Sequence, residues 1–349
     1  VGYQSGYCSV SSNNIFIGSC AGCSQTISSN GFGQNVVIGN LAGLEMGAAC
    51  DSILIGFEAG KNATGNRTLA IGTKAGCNNT ADNDNTFIGF NSGNSNTSGV
   101  RNTFLGAQSA TCNTTGGHNI AVGTNSLGSN VSGSFNVAVG YCAGFCATGG
   151  GANTFMRFQA GKCAHANLSQ ATLIGYQAGC ANIGNRTTAI GYQAGRLNQS
   201  YNNSSFMGWN AGSNTTTGAS VTFIGAQSGT SNTTGNNNTA LGFASMAGNT
   251  TGGANTAIGN CSLASNTTAN SNTAVGYFAL KTNTIGGCNT AIGYNALLSN
   301  TTGYSNTAIG VCALEDNTSG QSNTAVGFAA LCNNTTGISN TAVGVRAGM

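Results

Sequence analysis

Residues 255–280 read NTAIGNCSLASNTTANSNTAVGYFAL, and the phrase that opens this stretch at Asn255 returns at Asn272, 17 residues on. It returns again as NTAIG at Asn289 and Asn306 and as NTAVG at Asn323 and Asn340. A fixed period in this range is the mark of a solenoid, in which each repeat is one structural unit buried by its neighbours.

Taking the glycine that closes the phrase as position 0, the same slot is filled from Gly2 and Gly18 through Gly140 and on to Gly344, with Arg157 as the one substitute. Most steps are 17 residues, and one, from Gly18 to Gly39, is 21. The repeat therefore covers residues 1–349 in 21 copies, read as a single array that is an excerpt of a longer chain or a subunit stacking end to end. With a net charge of +3 and no proline, the chain has no basic field for nucleic acid. No apolar run approaches the ~18 residues of a membrane span, and no signal peptide is expected.

The columns of the repeat predict an all-β fold, a parallel β-solenoid or β-roll. Position −1 is aliphatic in every copy but Met156 and Met207, as at Ile258 and Val275, and position −3 is mostly threonine or a β-branched aliphatic. In a strand these two share a face, and their regularity predicts the packed interior. Position −2, on the opposite face, holds Phe16, Phe87, Phe104, Phe155, Phe206 and Phe223, then Ala257, Ala274, Ala291, Ala308 and Ala325. It is never charged, so it is expected to meet another copy of the chain. After the glycine come a second extended piece, an always-small position +3 and an Asn-Thr-Gly turn. Aromatic residues at +1, such as Tyr277 and Tyr294, are expected to be buried; exposed, they could stack on sugars.

The phrase and its following turn resemble the head-type β-roll repeats of trimeric autotransporter adhesins and similar viral tail-fibre repeats. The resemblance runs through Asn255, Asn272, Asn289, Asn306, Asn323 and Asn340 and their weaker upstream copies, although the period here is longer. It implies a trimer displayed on a cell or virion surface.

Reactive chemistry is sparse. His118 and His165 belong to no ligand cluster, and the scattered carboxylates offer no acid and base pair, so no enzyme and no cofactor are expected. Asp82 and Asp84 offer oxygen ligands for calcium, with a polar turn as the plainer reading. Fourteen cysteines suggest disulfides between adjacent coils, Cys146 with Cys163 and Cys8 with Cys23. Asn96, Asn113, Asn130, Asn232, Asn249, Asn266, Asn300, Asn317 and Asn334 each open an N-glycosylation triplet in one column of the turn. The expected function is a stiff extracellular fibre that self-associates as a trimer or filament, with adhesion to surface or matrix glycans as one use. The alternative is an ice-binding solenoid with an exposed threonine array.

Overall fold

The computed structural model describes residues 1–26, 33–80, 84–199 and 203–349. Among them there is no helix, and 20 short strands are all parallel to their neighbours. The chain divides into two compact units, Val1–Ile174 and Gly175–Met349. The first carries ten strands, from β1 (Ile15–Ile17) to β10 (Thr172–Ile174), and the second ten more, from β11 (Thr188–Ile190) to β20 (Thr341–Val343). Each is a coil stack of one strand per repeat, as the 17-residue period requires. The first of the 21 copies supplies only Val1 before its glycine and so has no strand.

Registers are exact repeats of the sequence columns. Thr273, Ala274 and Val275 pair with Thr290, Ala291 and Ile292, and those pair with Thr307, Ala308 and Ile309. A parallel sheet with identical residues in register stacks like on like, so each column of the sequence becomes a ladder in space.

The two faces of the strand are the reverse of the sequence expectation. Position −2 points into the coil: Phe87, Phe104, Phe155, Phe206 and Phe223 are completely buried, as are Ala257, Ala274, Ala291, Ala308 and Ala325. Phe16, at the end of its stack, is half-buried. Positions −3 and −1 point outward, with Ile292 and Ile309 each 38% exposed. The strand is three residues long in most coils, so one side chain faces in and two face out. The regular pair of columns, β-branched or hydroxyl at −3 and aliphatic at −1, is the outer one.

Size matching explains why the coil closes on that side. The inward residue opposes position +4, and large meets small across the interior: the Ala274, Ala291 and Ala308 coils carry buried Leu280, Leu297 and Leu314 at +4, whereas the Phe87, Phe206 and Phe223 coils carry Gly93, Gly212 and Gly229. A Cβ on Gly76 would stand 2.5 Å from the Phe87 ring, and one on Gly93 would strike its other edge. The ring thus lies over the +4 glycines of its own coil and of the preceding one. This also accounts for Gly76, Gly144 and Gly195, whose own coils have only alanine at −2: the next coil brings Phe87, Phe155 or Phe206 over them.

The segment after the glycine is a run of turns rather than a second extended piece. In the coil of Gly293, Ala296 N donates to Gly293 O, Leu298 N to Asn295 O and Asn300 N to Leu297 O, giving three overlapping turns. Asn295 and Leu297 take left-handed φ values of 54° and 52° to make this possible. Such angles cost non-glycine residues roughly 1–2 kcal/mol each, and bonds to both neighbouring coils offset that cost. Asn295 N donates back to Tyr277 O at 3.1 Å and Leu297 N forward to Ala313 O at 3.0 Å. At position 0 the constraint is contact: a Cβ on Gly293 would run into the Gly310 carbonyl of the next coil. Position +3 behaves as expected, with Ala296 and Ser109 fully buried.

Candidate interaction surface

The asparagines of the repeat build the polar half of the interior. At position +7, Asn113 Nδ2 donates to Asn96 Oδ1 and Asn130 Nδ2 to Asn113 Oδ1, both at 2.6 Å. Asn249, Asn266, Asn300, Asn317 and Asn334 repeat the bond to their own predecessors at 2.7–2.9 Å. At position −4 a second ladder forms: Asn119 N donates to Asn102 Oδ1 at 2.9 Å and Asn136 N to Asn119 Oδ1 at 2.9 Å. Buried amides must be paired, and stacking identical amides pairs them coil by coil.

These are the asparagines of the glycosylation triplets. Asn96, Asn113, Asn130, Asn232, Asn249, Asn266, Asn300 and Asn317 are 0% exposed, and Asn334 is half-buried. The nitrogen that a glycan would occupy faces the coil interior, where a sugar has no room. The expectation of a glycan stripe on the folded coil is therefore corrected: a regular asparagine column at a turn is an internal amide ladder.

The surface left for a partner is the outward strand face with the column that follows it. In the Gly175–Met349 unit, position −3 gives an unbroken hydroxyl column, Thr188, Ser205, Thr222, Thr239, Thr256, Thr273, Thr290, Thr307, Thr324 and Thr341. Beside it runs the aliphatic column at −1, and beyond the glycine the aromatic column at +1. No residue of the three columns is charged.

The +1 aromatics are half-exposed, not buried: Phe243 is 51% and Trp209 49% exposed. Where neighbours are aromatic they stack face to face, Tyr176 on Tyr192 at 5.0 Å and Tyr277 on Tyr294 at 5.4 Å. Tyr192, stacked between Tyr176 and Trp209, has both flat faces taken by neighbouring rings and shows its edge to solvent.

Other predicted groups are placed as follows. Asp84 pairs with Arg67, Oδ1 to Nε at 2.7 Å, and Asp82 lies outside the described residues. His118 stacks on Phe135 at 4.9 Å, and His165 Nδ1 accepts from Asn167 N. Among the described residues no group of three or more His, Cys, Asp or Glu is placed to hold a metal.

Cys8, Cys23, Cys146 and Cys163 are free thiols, which leaves the expected disulfides unformed in this structure. Cys163 lies one coil on from Cys146, and burial first, then Cys163, pushes the Cys146 thiol up. One pattern escaped the sequence reading. Cys20, Cys142, Cys261 and Cys312 occupy position +2, Cys23, Cys77, Cys180 and Cys332 position +5, and Cys8, Cys112, Cys146 and Cys163 position +6. Twelve of fourteen cysteines thus share three of the 17 slots, all within the turn run. Tabulating cysteines by slot would have shown it.

The chain matches no protein-family model, and comparison with curated proteins finds no match either.

Proposed function

We propose that this chain is a structural protein of an extracellular fibre or appendage, on a cell or virion surface, that self-associates laterally through the outward face of its strands. The interface in this reading is the −3, −1 and +1 columns, in place of the buried Phe and Ala column. The observation that carries it is the uncharged apolar surface of the Gly175–Met349 unit, where fourteen large apolar residues of the −1 and +1 columns are exposed, among them Met207, Trp209, Phe243, Ile292, Tyr294 and Phe328. At roughly 80 Å² for each half-exposed side chain, they amount to on the order of 1,000 Å². The largest apolar patch of a monomer is typically ~300–600 Å², and a stable interface covers about 800 Å² per partner.

The trimer of the resembling adhesin repeats is one way to cover such a face, and a filament is another. Sedimentation of the wild type and of an Ile292→Arg, Tyr294→Glu variant tests the reading. Self-association of the wild type that the variant loses supports it, and a wild type that stays monomeric at high concentration overturns it.

A second reading is favoured by the outward hydroxyl column, whose ten members repeat at the coil spacing of ~4.8 Å. Such a column is the element an ice-binding surface needs. Against it, the neighbouring columns mix Ile, Leu, Met and aromatic rings, so the face is not flat. Thermal hysteresis by the monomer, abolished by Thr273→Lys, would select this reading over the fibre.

A further inference from the structure

The first coils of the Val1–Ile174 unit place three thiols together on the turn edge. Cys20 and Cys23 lie three residues apart in one turn run, in the sequence Cys20-Ala21-Gly22-Cys23, and Cys8 lies on the coil before. Cys8 N donates to Cys23 O at 2.9 Å, which joins the two residues across one coil step, one slot out of register. A backbone bond of that length holds the two Cα atoms within about 6.8 Å, the upper edge of the range of about 4.4–6.8 Å that a disulfide bridges. Burial first, then the neighbouring Cys20 and Cys8, pushes the Cys23 thiol up. The Cys20 thiol donates to Gln4 Oε1 at 3.6 Å on the preceding coil. Cys8 is exposed and Cys20 and Cys23 are half-exposed, so a small reagent reaches all three.

We infer that Cys8, Cys20 and Cys23 form a thiol–disulfide exchange site, with Cys23 as the shared sulfur and a low-molecular-weight disulfide of the glutathione class as its oxidant. In the first step the Cys23 thiolate attacks one sulfur of the oxidant RSSR, and one RS⁻ leaves with the electron pair of the broken bond. The Cys8 thiolate then attacks Cys23 Sγ and expels the second RS⁻. Two protein thiols have lost two protons and two electrons, and RSSR has become two RSH. A third step is redox-neutral: the Cys20 thiolate attacks Cys23 Sγ, a Cys20–Cys23 bond forms, and Cys8 leaves as a thiolate.

The two products differ mechanically. A Cys8–Cys23 bond staples one coil to the next, whereas a Cys20–Cys23 bond closes a single turn and leaves the coils joined only by their hydrogen bonds. Exchange at Cys23 therefore sets whether the first coil is locked to its neighbour, without any further oxidation.

Peptide mapping of the full chain after equilibration with reduced and oxidised glutathione tests this. After acid quenching and alkylation, chymotryptic cleavage at Tyr7, Phe16 and Phe32 separates residues 8–16 from residues 17–32. The Cys8–Cys23 bond appears as these two peptides linked, and the Cys20–Cys23 bond as peptide 17–32 lighter by two hydrogens. Both forms are expected from the wild type, the linked pair alone from Cys20→Ser, and the light peptide alone from Cys8→Ser. Linked protein freed of glutathione should generate the light form in mildly alkaline buffer. In concentrated guanidinium chloride the long loop loses its native advantage, and the ratio of linked to light form should fall by about tenfold. Mixed disulfides with glutathione as the sole products, a dominant Cys8–Cys20 bond, or a linked form that never converts would each overturn the proposal, and the wild-type map alone is sufficient to show any of them.

Discussion

The ring of Phe87 fills the space that a side chain on Gly93 would need. A Cβ at Gly93 would collide with the Phe87 ring edge, and Gly93 itself sits at φ +56°. Gly93→Ala therefore combines overpacking, ~1–3 kcal/mol, with left-handed strain of about 1 kcal/mol. The expected loss is roughly 2–4 kcal/mol, read as faster hydrogen exchange in that coil and its neighbours. Phe87→Ala made together with Gly93→Ala should be less damaging than the two single effects added, because the second change removes the clash of the first.

Asn266 holds two rungs of the +7 ladder. Its Nδ2 donates to Asn249 Oδ1 at 2.7 Å, and its Oδ1 accepts from Asn283 Nδ2 at 3.0 Å. Asn266→Ala leaves a buried acceptor and a buried donor each short of a partner, at about 1–3 kcal/mol apiece. Chemical denaturation should report a loss of several kcal/mol, far more than removal of an exposed glycosylation site would give.

The same ladder is broken at Thr215, which is fully buried with an unpartnered hydroxyl. Thr215→Asn would supply an Oδ1 in line with Asn232 Nδ2 and an Nδ2 able to reach the Gly218 carbonyl, as Asn232 does with Gly235 at 3.2 Å. A gain of about 1 kcal/mol is expected, measured as a higher denaturation midpoint with an unchanged slope.

Cys312 should resist alkylation well into alkaline pH. Burial first, then the hydrogen bond and charge of Glu315, push its thiol up to about 12, against an ordinary value of 9.0. Because the folded value is raised, the thiol's contribution to stability is whole below pH 9 and declines as pH rises from there towards 12. The alkylation rate of Cys312 should still be climbing at pH 10, and Glu315→Gln should shift that profile downward in pH while leaving the burial contribution in place.

The salt bridge between Arg67 and Asp84 should matter little. Both side chains are about half exposed, at 54% and 48%. Asp84→Asn is expected to change stability by less than about 1 kcal/mol, and by less still in high salt.

The repeat, its period and its solenoid class were all legible in the sequence, because stacking in register turns every column into a ladder. Which face was inside was not read correctly. The regularity of the −1 and −3 columns favoured that pair, but a three-residue strand turns its majority outward, as Thr273 and Val275 do around Ala274. The needed signal was present in the exchange of Phe87 and Gly93 for Ala274 and Leu280, a trade of volume between two columns that only facing residues make. The triplet asparagines were misread for a related reason. Their polarity suggested water, and their neighbours proved to be one another.

The amide ladders also have a direction. Where asparagine fills successive +7 slots, the Oδ1 of one coil receives its bond from the coil that follows it in sequence, as Asn96 does from Asn113 and Asn249 from Asn266. A nascent chain leaves the ribosome N-terminal end first, so every coil already wound presents its acceptors to the coil still emerging. Growth can then proceed like a zip fastener, tooth by tooth, with no distant part of the chain to wait for.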